Sequence, residues 1–103
     1  MSSETLHEDT TTLGPAVIDQ HRAIVSLMEE LEAVDWYYQR VDDTADEELK
    51  AVLLHNAHEE IEHASMVLEW LRRNDTAFDE KLREYLFQSG SIVGREHEVE
   101  GKS

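Results

Sequence analysis

The chain has no cysteine, one proline, four glycines and only nine basic residues against twenty-four acidic ones, and each shortage excludes something. Without cysteine there is no disulfide framework, no thiolate metal site and no cysteine nucleophile, which leaves histidine and carboxylate chemistry. A net charge of −15 is the reverse of a nucleic-acid-binding footprint, so neither DNA nor RNA is an expected partner. It does concentrate cations, divalent metals among them, and it slows approach to anionic membranes. No uncharged apolar run exceeds a few residues, and Met1-Ser2-Ser3-Glu4 is acidic where a secretion signal is basic. A soluble, cytoplasmic protein is expected. No Ser-His-Asp set, glycine-rich phosphate loop, internal repeat or strand pattern stands out.

What is present is helical periodicity. With 103 residues, 40% of them hydrophobic, the chain has room for one small domain. Residues 1–13 are polar and read as a flexible arm. Pro15 opens a helix at its first turn, where a missing N–H costs nothing. Val17, Ile24, Leu27, Leu31, Val34, Tyr38 and Val41 then recur at three, four or seven residues, predicting one buried stripe on a helix over 15–41. Thr44 and Glu47 form a capping box that starts a second helix, whose stripe runs through Leu49, Val52, Leu53, Asn56, Glu60, His63, Val67, Trp70 and Leu71. Arg72 and Arg73 suit its negative end. Asn74, Asp75 and Thr76 offer N-caps for a short third helix with Phe78, Leu82, Tyr85 and Leu86 on one face, stopped by Gly90. Residues 91–103 bury little and are expected to be a disordered tail. The expected fold is all-α: a helical domain over 14–90, made of two long antiparallel helices plus a short third. Two packed helices still expose half of each apolar face, so oligomerisation is expected.

Three ionisable residues lie on these stripes. Glu30 falls three residues after Leu27 and four before Val34, and Glu60-Ile61-Glu62-His63 puts a carboxylate and an imidazole one helical turn apart on the second helix. Burying such groups unpaired costs several kcal/mol apiece, and a bound cation removes that cost. A four-helix di-iron site takes one Glu from each of two helices and one Glu-x-x-His from each of the other two. This chain supplies half of that list, so a symmetric second copy would complete it. Mixed carboxylate and imidazole donors favour iron, manganese or zinc over calcium or magnesium.

The Glu-x-x-His spacing is weak by itself. Among sixteen Glu and six His it also occurs at Glu4 and His7, in a polar arm with no stripe around it. His58-Glu59 begins like a zinc-protease helix, but that pattern needs histidine at position 62 and Glu62 stands there. His55, Glu59 and Glu62 share an outer face that could hold a surface ion, although such sets are more often solvated charge. Glu29 and Glu32 flank Glu30 and read by spacing as exposed polar face. Trp36, Tyr37 and Tyr38 read as core or interface aromatics, with Tyr37, seven residues from Glu30, the one placed to approach a metal.

The stretch His21 to Tyr37 with its Met28-Glu29-Glu30-Leu31-Glu32 block, the stretch His55 to Ala64 with Glu59-Glu60-Ile61-Glu62-His63, and the segments Leu68 to Arg73 and Tyr85-Leu86-Phe87 strongly resemble the encapsulated ferritins. The resemblance covers roughly residues 15–90. It implies ferroxidase ligands at Glu30, Glu60 and His63, with Trp36 and Tyr37 lining the site. It further implies that metal enters past Glu29 and Glu32, where calcium or another divalent ion could bind, and that an outer metal site lies at His55, Glu59 and Glu62. It implies a ferritin-like four-helix bundle formed by two chains with a di-iron centre on their twofold axis, assembly into an annular decamer, and residence within an encapsulin nanocompartment. Members of that family usually end in a flexible linker and a short docking peptide rich in Gly, Ser and Leu, whereas this sequence ends Val99-Glu100-Gly101-Lys102-Ser103. The function implied is oxidation of Fe(II) to Fe(III) ahead of mineral storage. An acidic helical scaffold without catalysis and a manganese or zinc enzyme on the same bundle are the alternatives.

Overall fold

The computed structural model describes residues 6–101, and the second Glu-x-x-His match, which needs Glu4, lies outside them, as do residues 1–5 of the expected arm. Among the described residues there are four helices and no strand: α1 Pro15–Asp43, α2 Glu47–Asn74, α3 Thr76–Tyr85 and α4 Ile92–Gly101. None is long and apolar enough to cross a membrane. The chain forms two compact units, one through Trp70 and one from Leu71 onward.

The first unit is a helical hairpin. Pro15 stands at the start of α1, as its lack of an N–H allows. At the other end the Thr44 N–H donates to the Arg40 carbonyl, closing α1, and only Thr44, Ala45 and Asp46 separate it from α2. Thr44 is therefore the end of one helix rather than the beginning of the next. The N-cap of α2 is Asp46, whose Oδ1 accepts from the Leu49 N–H at 2.9 Å, while Thr44 Oγ1 accepts from the Asp46 N–H at 3.2 Å. The expected Thr44–Glu47 capping box does not form because the last carbonyls of α1 claim Thr44 first.

A short connection makes the helices antiparallel, and Glu30 lies as far before the end of α1 as Glu60 lies beyond the start of α2. Among the described residues the buried side chains are Ala57, Ala64 and Leu71, spaced seven apart along α2, and α1 contributes none. The apolar stripe expected to be buried on α1 is instead half in solvent: Val17 is 51% exposed, Leu31 55% and Tyr38 44%. These three and Ile24 form a seven-residue repeat along one edge of α1. The stripe is wider than a single neighbouring helix can cover.

The second unit is fastened by side chains. Asp75 caps α3 by accepting from the Ala77 and Phe78 N–H groups at 2.9 and 3.1 Å. Asp79 receives both the Arg72 guanidinium and, at 2.8 Å, Arg83 Nε. The hydrogen bond from Arg72, reinforced by Arg83, holds the Asp79 carboxyl below its ordinary range. Helix α3 ends at Tyr85, well before Gly90, and the chain turns through Phe87 (φ 60°) and Gly90 (φ 88°), both left-handed. Residues 92–101, expected to be disordered, form α4. Its cause is local capping plus one longer tie: Ser91 Oγ accepts from the Gly94 N–H at 2.9 Å, and Arg95 Nε donates at 2.8 Å to the Glu84 carbonyl, one of the free carbonyls in the last turn of α3.

The cap assignment is open to direct measurement. Asp46→Ala is expected to lower unfolding stability by about 1 kcal/mol, with Thr44→Ala costing less, in urea titrations followed by circular dichroism. The reverse order would restore Thr44 as the cap.

Candidate metal centre

Glu30 sits in mid-helix on α1, and Glu60 and His63 are one turn apart on α2, so three side chains from two rigid elements point at one place. His63 Nδ1 lies 3.7 Å from Glu30 Oε2 and 3.6 Å from Glu60 Oε2. One ligand atom from each residue falls within 4.8 Å of the others, and this is the group of described His and carboxylate residues that converges in that way. The histidine distances exceed those of a nitrogen–oxygen hydrogen bond. Donors each about 2.1 Å from a common ion are about 3–4 Å apart, so the spacing matches a metal-sized gap better than a bonded network.

Electrostatics at the cluster leads to the same conclusion. Glu30 titrates above its ordinary value of 4.5, first because a hydrogen bond with the Glu60 side chain favours its protonated form, then through partial burial and the negative charge of Glu60; His63 opposes the shift. A cation between two facing carboxylates relieves the same repulsion. The Glu30 and Glu60 side chains are each 25% exposed and His63 is 45% exposed, so the cluster opens to solvent on one side. The donors fit a borderline transition metal, with coordination positions left for further ligands.

The remaining residues singled out by sequence do not join this cluster. Glu29 is exposed and Glu32 half-exposed on α1. His55 Nε2 pairs with Glu59 Oε1 at 3.5 Å on the outer face of α2, while Glu62 is exposed and does not complete a three-ligand set with them. Trp36 is half in solvent. Tyr37 lies about 10 Å along the helix axis from Glu30, and the Arg40 guanidinium stands 5.5 Å from its ring centroid. Sequence reading overlooked Arg40, although its i+3 spacing from Tyr37 was available.

A pH dependence follows from the raised Glu30. Between 4.5 and its folded value the native state binds more proton than the unfolded state, so stability of the metal-free protein falls as pH rises through that window. Glu30→Gln removes this titration. In chelator, the thermal midpoint of the variant is expected to gain on the parent as pH rises from 4.5 to 7, and a pH-independent difference would refute the raised titration of Glu30.

Comparison with known proteins places this geometry in context. The EncFtn-like family profile matches residues 5–89. The chain is 58% identical over 95 residues to the encapsulated ferritin-like protein of Rhodospirillum rubrum, covering 92% of this chain and 68% of that one. It is 50% identical over 97 residues to the ferritin-like protein of Thermotoga maritima, covering 94% and 85%. Among solved structures, protein ne0167 from Nitrosomonas europaea superimposes with a TM-score of 0.82 at 56% identity, over 84% of this chain and 96% of that one. With a family profile spanning most of its length and relatives at half identity or more, the all-helical chain that carries Glu30, Glu60 and His63 belongs to the EncFtn-like family.

Proposed function

We propose that two copies of the chain pair across the face bearing Glu30, Glu60 and His63, and that the paired site is a ferroxidase. Pairing would bring together four carboxylates and two imidazoles, the complement of a di-iron bundle, from two half-sites. The observation that carries the reading is the open convergence of those three donors within 4.8 Å on a hairpin that cannot close over them. Apolar exposure beside the site supports it as well. Leu49 and Trp70 lie seven-residue steps to either side of His63 on α2 and are 46% and 40% exposed, so the half-site has an apolar border suited to a second hairpin.

Fe(II) is the substrate. Four carboxylates balance two ferrous ions, and the anionic oxygens favour the ferric state further, so the site lowers the cost of removing one electron from each ion. The electrons pass to dioxygen or peroxide. Glu29 and Glu32 would attract incoming cations, His55, Glu59 and Glu62 would bind metal on the outer face, and Trp36 and Tyr37 would line the site from the second hairpin. The names of the relatives, encapsulated ferritin-like and ferritin-like, agree with iron as substrate and with an encapsulin shell as the compartment in which ferric product is mineralised. An annular decamer of chains, built from such dimers, is the assembly proposed.

Anaerobic titration with Fe(II) followed by an oxygen pulse tests this. Binding near one iron per chain is expected, then oxidation faster than in buffer. Alanine at Glu30, Glu60 or His63 should each slow it by roughly tenfold or more. Absence of binding would favour a scaffold, and tight binding of zinc or manganese without iron oxidation would favour a different metalloenzyme. Chelation is expected to shift sedimentation toward smaller species, because unpaired carboxylates would then face one another across the seam.

A further inference from the structure

One turn beyond His63 stands an oxidisable side chain that the ferroxidase reading leaves unused. Met66 follows His63 by three residues on α2, within about 6 Å between Cβ atoms and turned about 60° from it around the axis, and about 120° from Glu60. It is 60% exposed, more than any other large apolar side chain on α1 or α2. Met28 makes a natural comparison. It is half-buried on α1, and its position two residues before Glu30 turns it about 160° away from that carboxylate.

We infer that Met66 is a sacrificial oxidation site that consumes peroxide formed at the metal centre before it escapes. The inference rests on the ferroxidase reading with dioxygen as acceptor. Two Fe(II) ions each give one electron to dioxygen, which takes up two protons to become hydrogen peroxide. The O–O bond of the peroxide then breaks. One oxygen joins the Met66 sulfur, which is oxidised by two electrons to the sulfoxide, and the other leaves as water. Thioether oxidation of this kind is reversible by reductases, so Met66 would spare His63 and the nearby Trp70 from less reversible damage.

The test is peptide mass spectrometry after Fe(II) turnover in air, with and without catalase in the solution. Under turnover with catalase present, Met66 is expected to gain one oxygen at roughly five times the extent of Met28 or more. With added hydrogen peroxide and zinc in place of iron, catalase should abolish the modification. If catalase also abolishes it under turnover, Met66 is oxidised from bulk solution by virtue of exposure alone and the inference is wrong. At one Fe(II) per chain, which yields one peroxide for every two Met66 thioethers, Met66→Leu, close in volume, should leave the rate of iron oxidation unchanged while raising peroxide released into solution; unchanged release would overturn the inference too. Iron oxidised with Met66 unmodified refutes the inference and leaves the ferroxidase reading standing. Iron not oxidised at all refutes both.

Discussion

Two carboxylates and an imidazole are held by two helices with a ligand atom of each within 4.8 Å of the others, and only part of their hydration is intact. Glu30 titrates above its ordinary value there, first through a hydrogen bond with the Glu60 side chain, then through partial burial and the negative charge of Glu60. A divalent cation would satisfy both carboxylates and His63 together. The hairpin is built to hold this cluster still. The cap at Asp46 sets the start of α2, the three-residue connection sets the antiparallel register, and the register brings Glu30 opposite Glu60 and His63.

The same hairpin explains why the cluster stays open. Its spine of Ala57 and Ala64 uses one narrow face of α2, with Leu71 continuing the seven-residue spacing, and the apolar repeats on either side remain in solvent. Charge is uneven in a way that matters for metal uptake. Residues 1–70 carry seventeen acidic and three basic side chains, while residues 71–103 carry seven and six. The hairpin with the cluster therefore holds nearly all of the net negative charge, and its field draws cations toward the carboxylates. The proposed pairing of two such hairpins would have to overcome that repulsion through apolar contact and shared metal.

Much of this was legible in the sequence, for identifiable reasons. The two long helices follow from sustained apolar periodicity, and the start of α3 from Asn74, Asp75 and Thr76 standing just ahead of a new stripe, although the spacing does not choose Asp75 among the three. Glu30, Glu60 and His63 were legible because ionisable groups on an apolar stripe are costly enough to call for an explanation. The cap of α2 was not, since Thr44 and Asp46 are both good N-caps and the choice depends on which one the end of α1 has already taken. Helix α4 was not legible either. It buries little, and Arg95 is tied to a carbonyl eleven residues away. Whether Val17, Ile24, Leu31 and Tyr38 are buried depends on how many helices surround α1, which periodicity does not count.

The claim on which the account turns is that one chain holds half a metal centre. X-ray diffraction from crystals grown with Fe(II), collected at the iron absorption edge, tests it most directly. The account predicts two anomalous peaks about 3.5–4 Å apart on a twofold axis, each bound by Glu30, Glu60 and His63 side chains drawn from two chains. A single iron enclosed by one chain's three residues and water, with no second copy across the site, would contradict it.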